Sequence, residues 1–346
     1  MERIENNTTA VFVGIDYHKE TLQVCVLDGD GEVLANRAMP NDRLAVRRLA
    51  RSCGVVRRVA LEVCTGSANL AEELVVHEGW VTHLAHPGYV ARMKGSPDKT
   101  DFSDARLLAD LTRVGYLPRV WLAPPWVREL RRLVRYRQQL VEERRNTKLR
   151  MRALLRDHRV TGPAGVGAWT NAWWGWLLTT GLAALPTSSA WILERHMENL
   201  SRLDVALAKA HKHLRGYTAA DPLIGRLRTY AGVGEITSWV LRAEIGRFDR
   251  FISGKALSRF CGVSPRNVSS GSRQADAGLI KAGSVLLRTT LIELAHRLCR
   301  CVPRWRQFKA RLTLSGKAGS LAAAAVANRW VRWLYHQMQE QDRQGA

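Results

Sequence analysis

Hydrophobic and polar residues alternate in short runs over the first 120 residues of the chain. The run VFVGID at residues 11–16 is rich in β-branched residues and ends on a carboxylate, and four similar runs follow it: TLQVCVLD, EVLANRAM, VRRVALEV and WVTHLAH. The turn sequence DGDG joins the second and third runs. The pattern predicts three antiparallel strands followed by strand, helix, strand, helix, with helices at about residues 42–52 and 67–78 and from about residue 101.

This order of elements is that of the ribonuclease-H-like fold. A mixed sheet covered by helices is therefore predicted for residues 1–122, joined to a largely α-helical remainder. The fold class is α/β plus α.

The pattern changes to helical spacing from residue 124 to about residue 158. Over residues 121–160 there are 12 lysines and arginines against 4 acids, and apolar residues recur on one face. A long basic helix of partly coiled-coil character is predicted, with dimerisation and phosphate contacts as its roles; a solvated surface helix is the plain alternative. The candidate nucleic-acid contacts on this helix are Arg131, Arg135, Arg144 and Lys148.

Residues 160–193 contain no Asp, Glu, Lys or Arg and include the run WWGWLLTTGLAALP. The continuous apolar part is shorter than the roughly 20 residues that a membrane-spanning helix needs. A packed hinge or an oligomer interface is predicted instead. Together with a further helix near residues 190–214, this segment completes a helical linker domain at residues 123–215.

The last predicted domain, residues 216–346, opens with a helix, the tight turn Gly232-Val233-Gly234 and a second helix. This is the pattern of a helix-hairpin-helix. Gly232 and Gly234 allow backbone amides to approach a phosphate closely, although turns between packed helices often need glycine for packing alone.

A polar loop, SSGS at residues 269–272, precedes an amphipathic helix in the same domain. Serine-rich loops are usually only connections. A serine nucleophile needs a basic neighbourhood that holds the phosphate and eases loss of its proton, and Arg273, Lys281 and Arg288 supply positive charge in this segment.

Net charge separates the two parts of the chain. The protein carries a formal charge of +22, with a pI near 10.6, yet residues 1–120 contain 15 basic against 16 acidic residues. The remainder therefore carries +23, which indicates a polyanionic partner such as nucleic acid or an anionic membrane surface. The six cysteines show no paired spacing, and the amino terminus lacks an apolar signal, so a cytoplasmic protein with reduced thiols is expected.

Four acidic residues lie where elements of the first domain begin or end: Asp16, Glu62, Asp101 and Asp104. Taken singly, each has a structural explanation, Asp16 as a salt-bridged residue and the Asp101/Asp104 pair as helix caps. Four converging carboxylates repel one another unless cations neutralise them. A divalent metal is the natural partner, and Mg²⁺, with its preference for oxygen ligands, is predicted here.

Several motifs resemble those of one family. GIDYHK, LEVCTGS and KTDFSDARLLADL resemble the RuvC-like domain of the DEDD transposases of bacterial insertion sequences, the insertion sequence 110 type that includes the Piv DNA invertases. LRTYAGVGEITSWVLRAEIG, GVSPRNVSSG and GLIKAGSVLLR resemble the carboxy-terminal domain of that family. One departure is Gly283-Ser284, where the family commonly has Gly-Asn; Ser284 can still cap the following helix.

The resemblance implies a transposase or DNA recombinase. In it, the four acids would hold Mg²⁺ beside double-stranded DNA, and Ser270, or alternatively Ser269, would attack a phosphodiester and form a covalent phosphoserine. It also implies a structured noncoding bridge RNA that pairs with donor and target DNA. The expected protein is a bacterial, nucleoid-associated dimer or tetramer whose active sites combine two protomers.

Two other functions fit the same residues. A Holliday-junction resolvase or nuclease would use the four acids and a water molecule, with no covalent step. A non-catalytic DNA- or RNA-binding factor would use the acids only as caps and salt-bridge partners.

Overall fold

The computed structural model describes residues 9–94, 100–267, 276–280 and 283–344. The chain divides into two compact units, Met1–Ala123 and Pro124–Ala346. The sheet lies in the first unit, and the second unit is mainly helical.

The first unit contains a six-stranded mixed sheet, as the alternating pattern predicted. Its strands are β1 Ala10–Tyr17, β2 Thr21–Leu27, β3 Val33–Pro40, β4 Val55–Glu62, β5 Thr82–Ala85 and β6 Arg119–Val120. They are ordered β3-β2-β1-β4-β5-β6, with β1, β4 and β5 parallel and the others antiparallel to their neighbours. This arrangement is compatible with a ribonuclease-H-like domain, and only the two-residue β6 lies beyond the predicted strands.

Helices cover the sheet. They are α1 Arg43–Cys53, α2 Ser67–Glu78, α3 Pro87–Val90, which continues into a 3₁₀ turn at Ala91–Met93, and α4 Asp101–Arg113. Asp42 caps α1 by accepting hydrogen bonds from the amides of Leu44 and Ala45. The predicted helices at 42–52 and 67–78 are thereby confirmed to within a residue or two.

Gly14, at the centre of β1, allows α4 to lie directly on the sheet. A Cβ atom at this position would come closer than 3.0 Å to the carbonyl oxygen of Ala105 and the amide nitrogen of Ala109. Val13 and Ile15, the neighbours of Gly14 in β1, are completely buried. The strand that carries Asp16 is therefore packed tightly against the helix that carries Asp101.

The second unit is built from nine described helices and one hairpin of strands. The helices are α5 Pro125–Asp157, α6 Asn171–Trp176, α7 Thr187–Thr218, α8 Pro222–Arg228, α9 Glu235–Ile245, α10 Gly254–Phe260, α11 Val285–Cys301, α12 Pro303–Leu314 and α13 Gly319–Gln344. A π-helical turn follows α6 at Leu177–Gly181, and the antiparallel strands β7 Pro265–Asn267 and β8 Asp276–Leu279 lie between α10 and α11.

The long basic helix predicted from residue 124 is α5, and it pairs with α7 of the same chain. Asn199 donates a hydrogen bond to Thr147 Oγ1 near one end of the pair, and Tyr217 donates one to the carbonyl of Trp126 at the other, so the helices run antiparallel. Leu140 of α5 packs in one buried cluster with residues of α7. Because α7 covers the apolar stripe of α5, that stripe does not by itself require a second protomer.

The charge-free segment at residues 160–193 packs against the end of α5 and the start of α7. Trp173 and Leu177 are buried with Met151 and Leu193 in a small core of their own. Among the described residues, no helix is both long enough and apolar enough to cross a bilayer.

Candidate active site

Parallel strands bring Asp16 and Glu62 to one edge of the sheet. In the register of β1 and β4, Ile15 lies beside Leu61, so the next residue of each strand is one of these acids. The side chain of Asp16 is 18% exposed. Burial raises the pKa of the nearby Cys64 thiol, and the charges of Asp16 and Glu62 raise it further, against hydrogen bonds with Ser67 that lower it. Both carboxylates therefore act on the same small region.

Helix α4 delivers Asp101 and Asp104. Thr100 is the N-cap, and its hydroxyl accepts a hydrogen bond from the amide of Ser103, whose side chain in turn accepts from the Thr100 amide. The capping interpretation of the two acids is therefore wrong, because Thr100 and Ser103 do the capping. Asp101 and Asp104 lie within the first turns, where the helix dipole favours negative charge.

His18 joins the sheet acid to the helix acid. Its Nε2 lies 3.4 Å from Oδ2 of Asp16 and 3.1 Å from Oδ2 of Asp101. One potential ligand atom from each of the three residues lies within 4.8 Å of the other two. His18 was missed from the sequence. Its position two residues after Asp16 was the available signal, because side chains at i and i+2 of an extended chain share a face.

Asp104 has a different partner. It is buried, and one carboxylate oxygen lies 2.5 Å from Nζ of Lys94, whose side chain is 22% exposed. The structure therefore brings Asp16 and Asp101 together through His18, sets Glu62 on the strand beside Asp16, and pairs Asp104 with Lys94. Lys94 also was missed, since nothing in its sequence context points to Asp104.

A chain of amide hydrogen bonds ties the start of α4 to the sheet. Gln23, which faces Asp16 across β1 and β2, donates to Asn36 Oδ1 at 2.7 Å. Asn36 in turn donates to the carbonyl of Phe102 at 3.0 Å. Phe102 directly follows Asp101, so these hydrogen bonds fix the position of Asp101 relative to the end of β1.

The donor set suits a divalent cation. Asp16 and Asp101 offer carboxylate oxygens, the ligands that Mg²⁺ prefers, and His18 adds a ring nitrogen within 4.8 Å of both. Converging carboxylates need a neutralising partner. The residues present therefore fit a metal between the end of β1 and the start of α4.

A cavity of about 650 Å³ lies alongside α4. Its charged lining consists of three acids and three bases: Asp30, Asp104, Asp110, Lys94, Arg106 and Arg113. Arg113 is held by Asp110 and by the carbonyl of Gly29. Three acids thus stand among three cations, so the electrostatic character of this cavity is mixed.

The nucleic-acid contacts predicted on α5 have partners within the second unit. Arg131 donates to the carbonyls of Ala243 and Glu244, and Arg135 pairs with the buried Glu244 carboxylate. The other two contact α7 and the tryptophan-rich segment: Arg144 pairs with Asp204 at 2.6 Å, and Lys148 lies 4.7 Å from the centre of the Trp169 ring. Their contact with nucleic acid stays a prediction.

Gly232 and Gly234 lie between α8 and α9, at a cavity of about 860 Å³. Gly232 has a φ of +78°, and its carbonyl accepts a hydrogen bond from Arg297. The amide of Val233 donates to the carbonyl of Tyr230 within the turn. The cavity also contains three glutamates, so its electrostatic character is mixed.

Ser269, Ser270, Arg273 and Lys281 lie outside the described residues. The strands β7 and β8, which sequence reasoning did not predict, flank the serine loop along the chain. Arg288 is half-buried on α11, and its Nη1 has no hydrogen-bond partner among the described residues. Ser284 accepts a hydrogen bond from the amide of Leu287, so it caps α11 as expected.

Comparison with known proteins covers both units. Residues 13–159 match the DEDD transposase family of the IS110 type, described as "Transposase". Residues 225–310 match the family described as "Transposase IS116/IS110/IS902 family".

Relatives match over most of the chain. "Transposase for insertion sequence element IS1111A" of Coxiella burnetii is 26% identical over 341 residues, 96% of this chain and 92% of that protein. "Probable family 20 transposase" of Pseudomonas aeruginosa is 26% identical over 93% of this chain and 95% of its own length. "Transposase for insertion sequence element IS1328" of Yersinia enterocolitica is 25% identical over 82% of each. The order of the two family matches and the length of these similarities agree with the motifs, and the chain belongs to the insertion sequence 110-type (IS110) transposase family.

Proposed function

We propose that this protein is a DNA recombinase that cuts and rejoins strands at the ends of a mobile element, using a serine nucleophile and an acidic Mg²⁺ site. The observation that carries the proposal is the meeting of Asp16 and Asp101 at one imidazole, with Glu62 on the adjacent strand. A stability-driven fold has no need to gather acids from two strands and a helix. The family to which the chain belongs supplies the reaction class.

Asp16, Glu62, Asp101 and Asp104 would hold the metal. When bound, Mg²⁺ neutralises phosphate charge and orients the scissile group. Lys94 keeps Asp104 in place in its buried site, and the bonds from Gln23 through Asn36 fix the start of α4. These contacts preorganise the site before DNA arrives.

The covalent step belongs to Ser270, with Ser269 as the alternative. The hydroxyl oxygen attacks the phosphorus and forms an O–P bond, and the bond from phosphorus to one deoxyribose oxygen breaks. The serine proton ends on the released deoxyribose oxygen, which leaves as a hydroxyl. Attack of a deoxyribose hydroxyl from the new partner strand then reverses these changes and frees the serine. Arg288, on the helix that follows the serine loop along the chain, adds positive charge to this segment.

The proposed binding partners follow from the same mechanism. Double-stranded DNA is the substrate, with the element end as donor and a second duplex as target. The formal net charge of +23 in residues 121–346 supports binding to DNA. A structured noncoding bridge RNA guides the choice of site, and a dimer or tetramer completes the active sites.

The direct test is the search for a protein–DNA adduct. Labelled DNA from the flanks of the coding sequence is incubated with protein, Mg²⁺ and RNA transcribed from the same flanks, then denatured and run on a denaturing gel. Wild-type protein gives a band of protein-linked DNA, and Ser270→Ala removes it while Ser269→Ala retains it. Asp16→Asn lowers the rate at least about a hundredfold, since a metal contributes several kcal/mol to such a transition state.

The matched control is Glu73→Gln, which leaves the rate unchanged. It removes one exposed acid of α2 that lies outside the group Asp16, Glu62 and Asp101, here called the acidic edge. Cleavage that needs Asp16 and Mg²⁺ but gives no adduct, and that survives loss of both serines, would contradict the serine mechanism and identify a resolvase or nuclease. Strand exchange by Asp16→Asn at the wild-type rate would contradict the proposed metal site.

A further inference from the structure

A third cavity lies at the carboxyl end of α5, one helical turn beyond Lys148. It measures about 480 Å³ and is formed by the last turns of α5, the loop that follows and α6. Arg152, Arg156 and Arg159 line it together with Trp173 and Trp176. The spacing of four residues sets Arg152 and Arg156 on one face of α5, and Arg159 follows in the loop.

Among the described residues these three arginines have no side-chain partner, and unlike Arg145 and Arg150 of α5, which also have none, they line this cavity. Within the described ranges, no side chain forms an ion pair with their guanidinium groups or accepts a hydrogen bond from them. Arg144, by contrast, pairs with Asp204, and Arg137 donates to His211. The segment at 160–193 contains no acid, so the positive charge of the cavity is uncompensated. An anion is the ligand that this charge attracts.

The wall of the cavity is aromatic. Trp173 is buried and packs against the rings of Trp169, Trp174 and Trp176, with centroids 4.6 to 6.0 Å apart. Trp176 is half-buried and lines the cavity. An indole ring beside guanidinium groups suits a flat, uncharged ring attached to an anion. A nucleotide has this composition.

The backbone around the cavity is held in an unusual conformation. Among the residues that the structure describes, Arg159 and Trp169 are the non-glycine residues with positive φ, at +57° and +74°. They stand at the two ends of the loop that closes the cavity. Such a conformation is unfavourable for large side chains and persists where packing imposes it, commonly at binding sites. Here the stacked tryptophans supply that packing.

We propose that this cavity binds an unpaired nucleotide of a nucleic-acid strand, with the base against Trp176 and neighbouring phosphates on Arg152, Arg156 and Arg159. A duplex keeps its base faces stacked, whereas a single-stranded, bulged or frayed nucleotide can present one to an aromatic side chain. The inference rests on the proposed function only in that nucleic acid is the partner. It adds a nucleic-acid contact to the acidic edge and the serine loop.

The test uses the full-length protein and two fluorescent 12-residue homopolymers, oligo(dT) and oligo(rU), which have no secondary structure. Fluorescence anisotropy gives the dissociation constant at several salt concentrations, without any cleavage step. The variants are Trp176→Ala, Trp176→Phe and the triple change Arg152→Gln, Arg156→Gln, Arg159→Gln. The matched control removes the same charge from exposed α5 positions outside the cavity, as Arg132→Gln, Arg145→Gln, Arg150→Gln.

Trp176→Ala is expected to weaken binding about tenfold, within the range found for one base stacked on an aromatic ring, and Trp176→Phe restores most of it. The cavity triple variant lowers the slope of log K against log salt by about two, since each phosphate contact on a single strand contributes about 0.7. The control triple variant changes the slope by less than half as much. An effect on oligo(dT) alone or oligo(rU) alone supports the site and identifies its strand.

A positional readout guards against misfolding of the variants. Wild-type protein is crosslinked by light to the same homopolymers carrying one 5-iodouracil, and the attachment point is identified by mass spectrometry. Crosslinks at residues 152–176 support the site. The absence of these crosslinks, or an equal loss of affinity in the two triple variants, would overturn the proposed site. The site would also be overturned if a mononucleotide, but not an oligonucleotide, protected the cavity. A missing serine adduct would affect none of these results, so failure of the proposed recombination and failure of this site are distinguishable.

Discussion

The two compact units use charged side chains in opposite ways. In the first, acids from separate elements meet at the edge of a sheet, where Asp16 and Asp101 share His18. In the second, many arginines serve the fold: Arg226 donates to the carbonyls of Gln337 and Met338, and Arg250 to that of Ile245. Burial lowers the pKa of Arg250 to about 10, yet it remains charged at neutral pH. A surplus of basic residues is therefore not a measure of the charge available to a ligand.

The same contrast exists along the single helix α5. Arg131, Arg135 and Arg144 of its earlier turns contact carbonyls or acids of the same unit. Arg152 and Arg156 of its last turns contact neither and line a cavity. Sequence composition does not separate these two groups of arginines, whereas partners within the fold and the lining of a cavity do.

The change expected to break the acidic edge most severely is Gly14→Ala. Its methyl group would overlap the backbone of α4 at Ala105 and Ala109, and backbone cannot move aside as a flexible side chain can. We expect the free energy of unfolding to fall by at least about 3 kcal/mol, or α4 to shift and carry Asp101 away from Asp16. Urea unfolding and the adduct assay measure the two effects.

Gly29→Ala is the control, because a Cβ at Gly29 has no atom within 4 Å. It should change stability by no more than about 0.5 kcal/mol. Wild-type stability and activity in Gly14→Ala would show that the sheet and α4 do not depend on this close approach.

In the second unit, Glu244→Ala tests whether arginines are structural. The Glu244 carboxylate is 6% exposed and pairs with Arg135, whose side chain is 59% exposed. We expect a loss of about 2 to 3 kcal/mol, below the usual cost of breaking a fully buried pair because Arg135 can turn to water. Glu129→Ala, which removes the acid of the exposed pair with Arg132, should cost less than about 1 kcal/mol. Equal losses in the two variants would contradict the structural role.

Asn36→Ala is a milder change at the acidic edge. It removes the hydrogen bond to the Phe102 carbonyl and the one from Gln23, so the start of α4 is held less firmly. The expected cost is about 1 kcal/mol in stability, with a larger relative loss in cleavage rate because Asp101 follows the movement. If the cleavage rate falls only in proportion to the fraction of folded protein, these hydrogen bonds do not position Asp101.

The smallest expected effect is a pH dependence at His211. Burial lowers the pKa of His211 below its usual 6.5, and the charges of Arg137 and Arg215 lower it further. Its Nε2 accepts a hydrogen bond from Arg137, which requires the neutral ring. As the pH falls below 6.5 the unfolded chain binds the proton first, so the free energy of unfolding decreases until the folded pKa is passed.

His211→Gln keeps an acceptor for Arg137 and removes the titration. Urea unfolding at pH 7.5 and 5.5 should therefore show a smaller loss on acidification than in the wild type. Burial also lowers the pKa values of His83 and His196. These two residues therefore still contribute to the pH dependence of the free energy of unfolding in this variant. An unchanged difference would exclude a contribution from His211.

Much of the first unit could be predicted because its strands carry local signals. β-branched runs, the DGDG turn and helical spacing in α1 and α2 fix the element order, and strand order then sets Asp16 beside Glu62. His18 and Lys94 could not be assigned in the same way. Their roles depend on a distance between segments far apart along the chain, and no periodic pattern encodes that distance.

The capping of α4 shows where local rules are ambiguous. Asp101 with an acid three residues later has the composition of a cap, but Thr100 with Ser103 fulfils the geometry one residue earlier. In the second unit, β7 and β8 are three and four residues long, too short for an alternation to stand out. The partners of the α5 arginines depend on packing against α7 and α9, which periodicity alone does not reveal.

The distance along the chain between Asp16 and Asp101 has a consequence for synthesis. A ribosome that has made only the first three strands has produced one of these two carboxylates, and no fragment short of α4 holds both. The acidic edge can form only after α4 has left the exit tunnel and settled on Gly14. A copy that ends before α4 therefore lacks the paired acids, and under the proposed mechanism it cannot cut DNA.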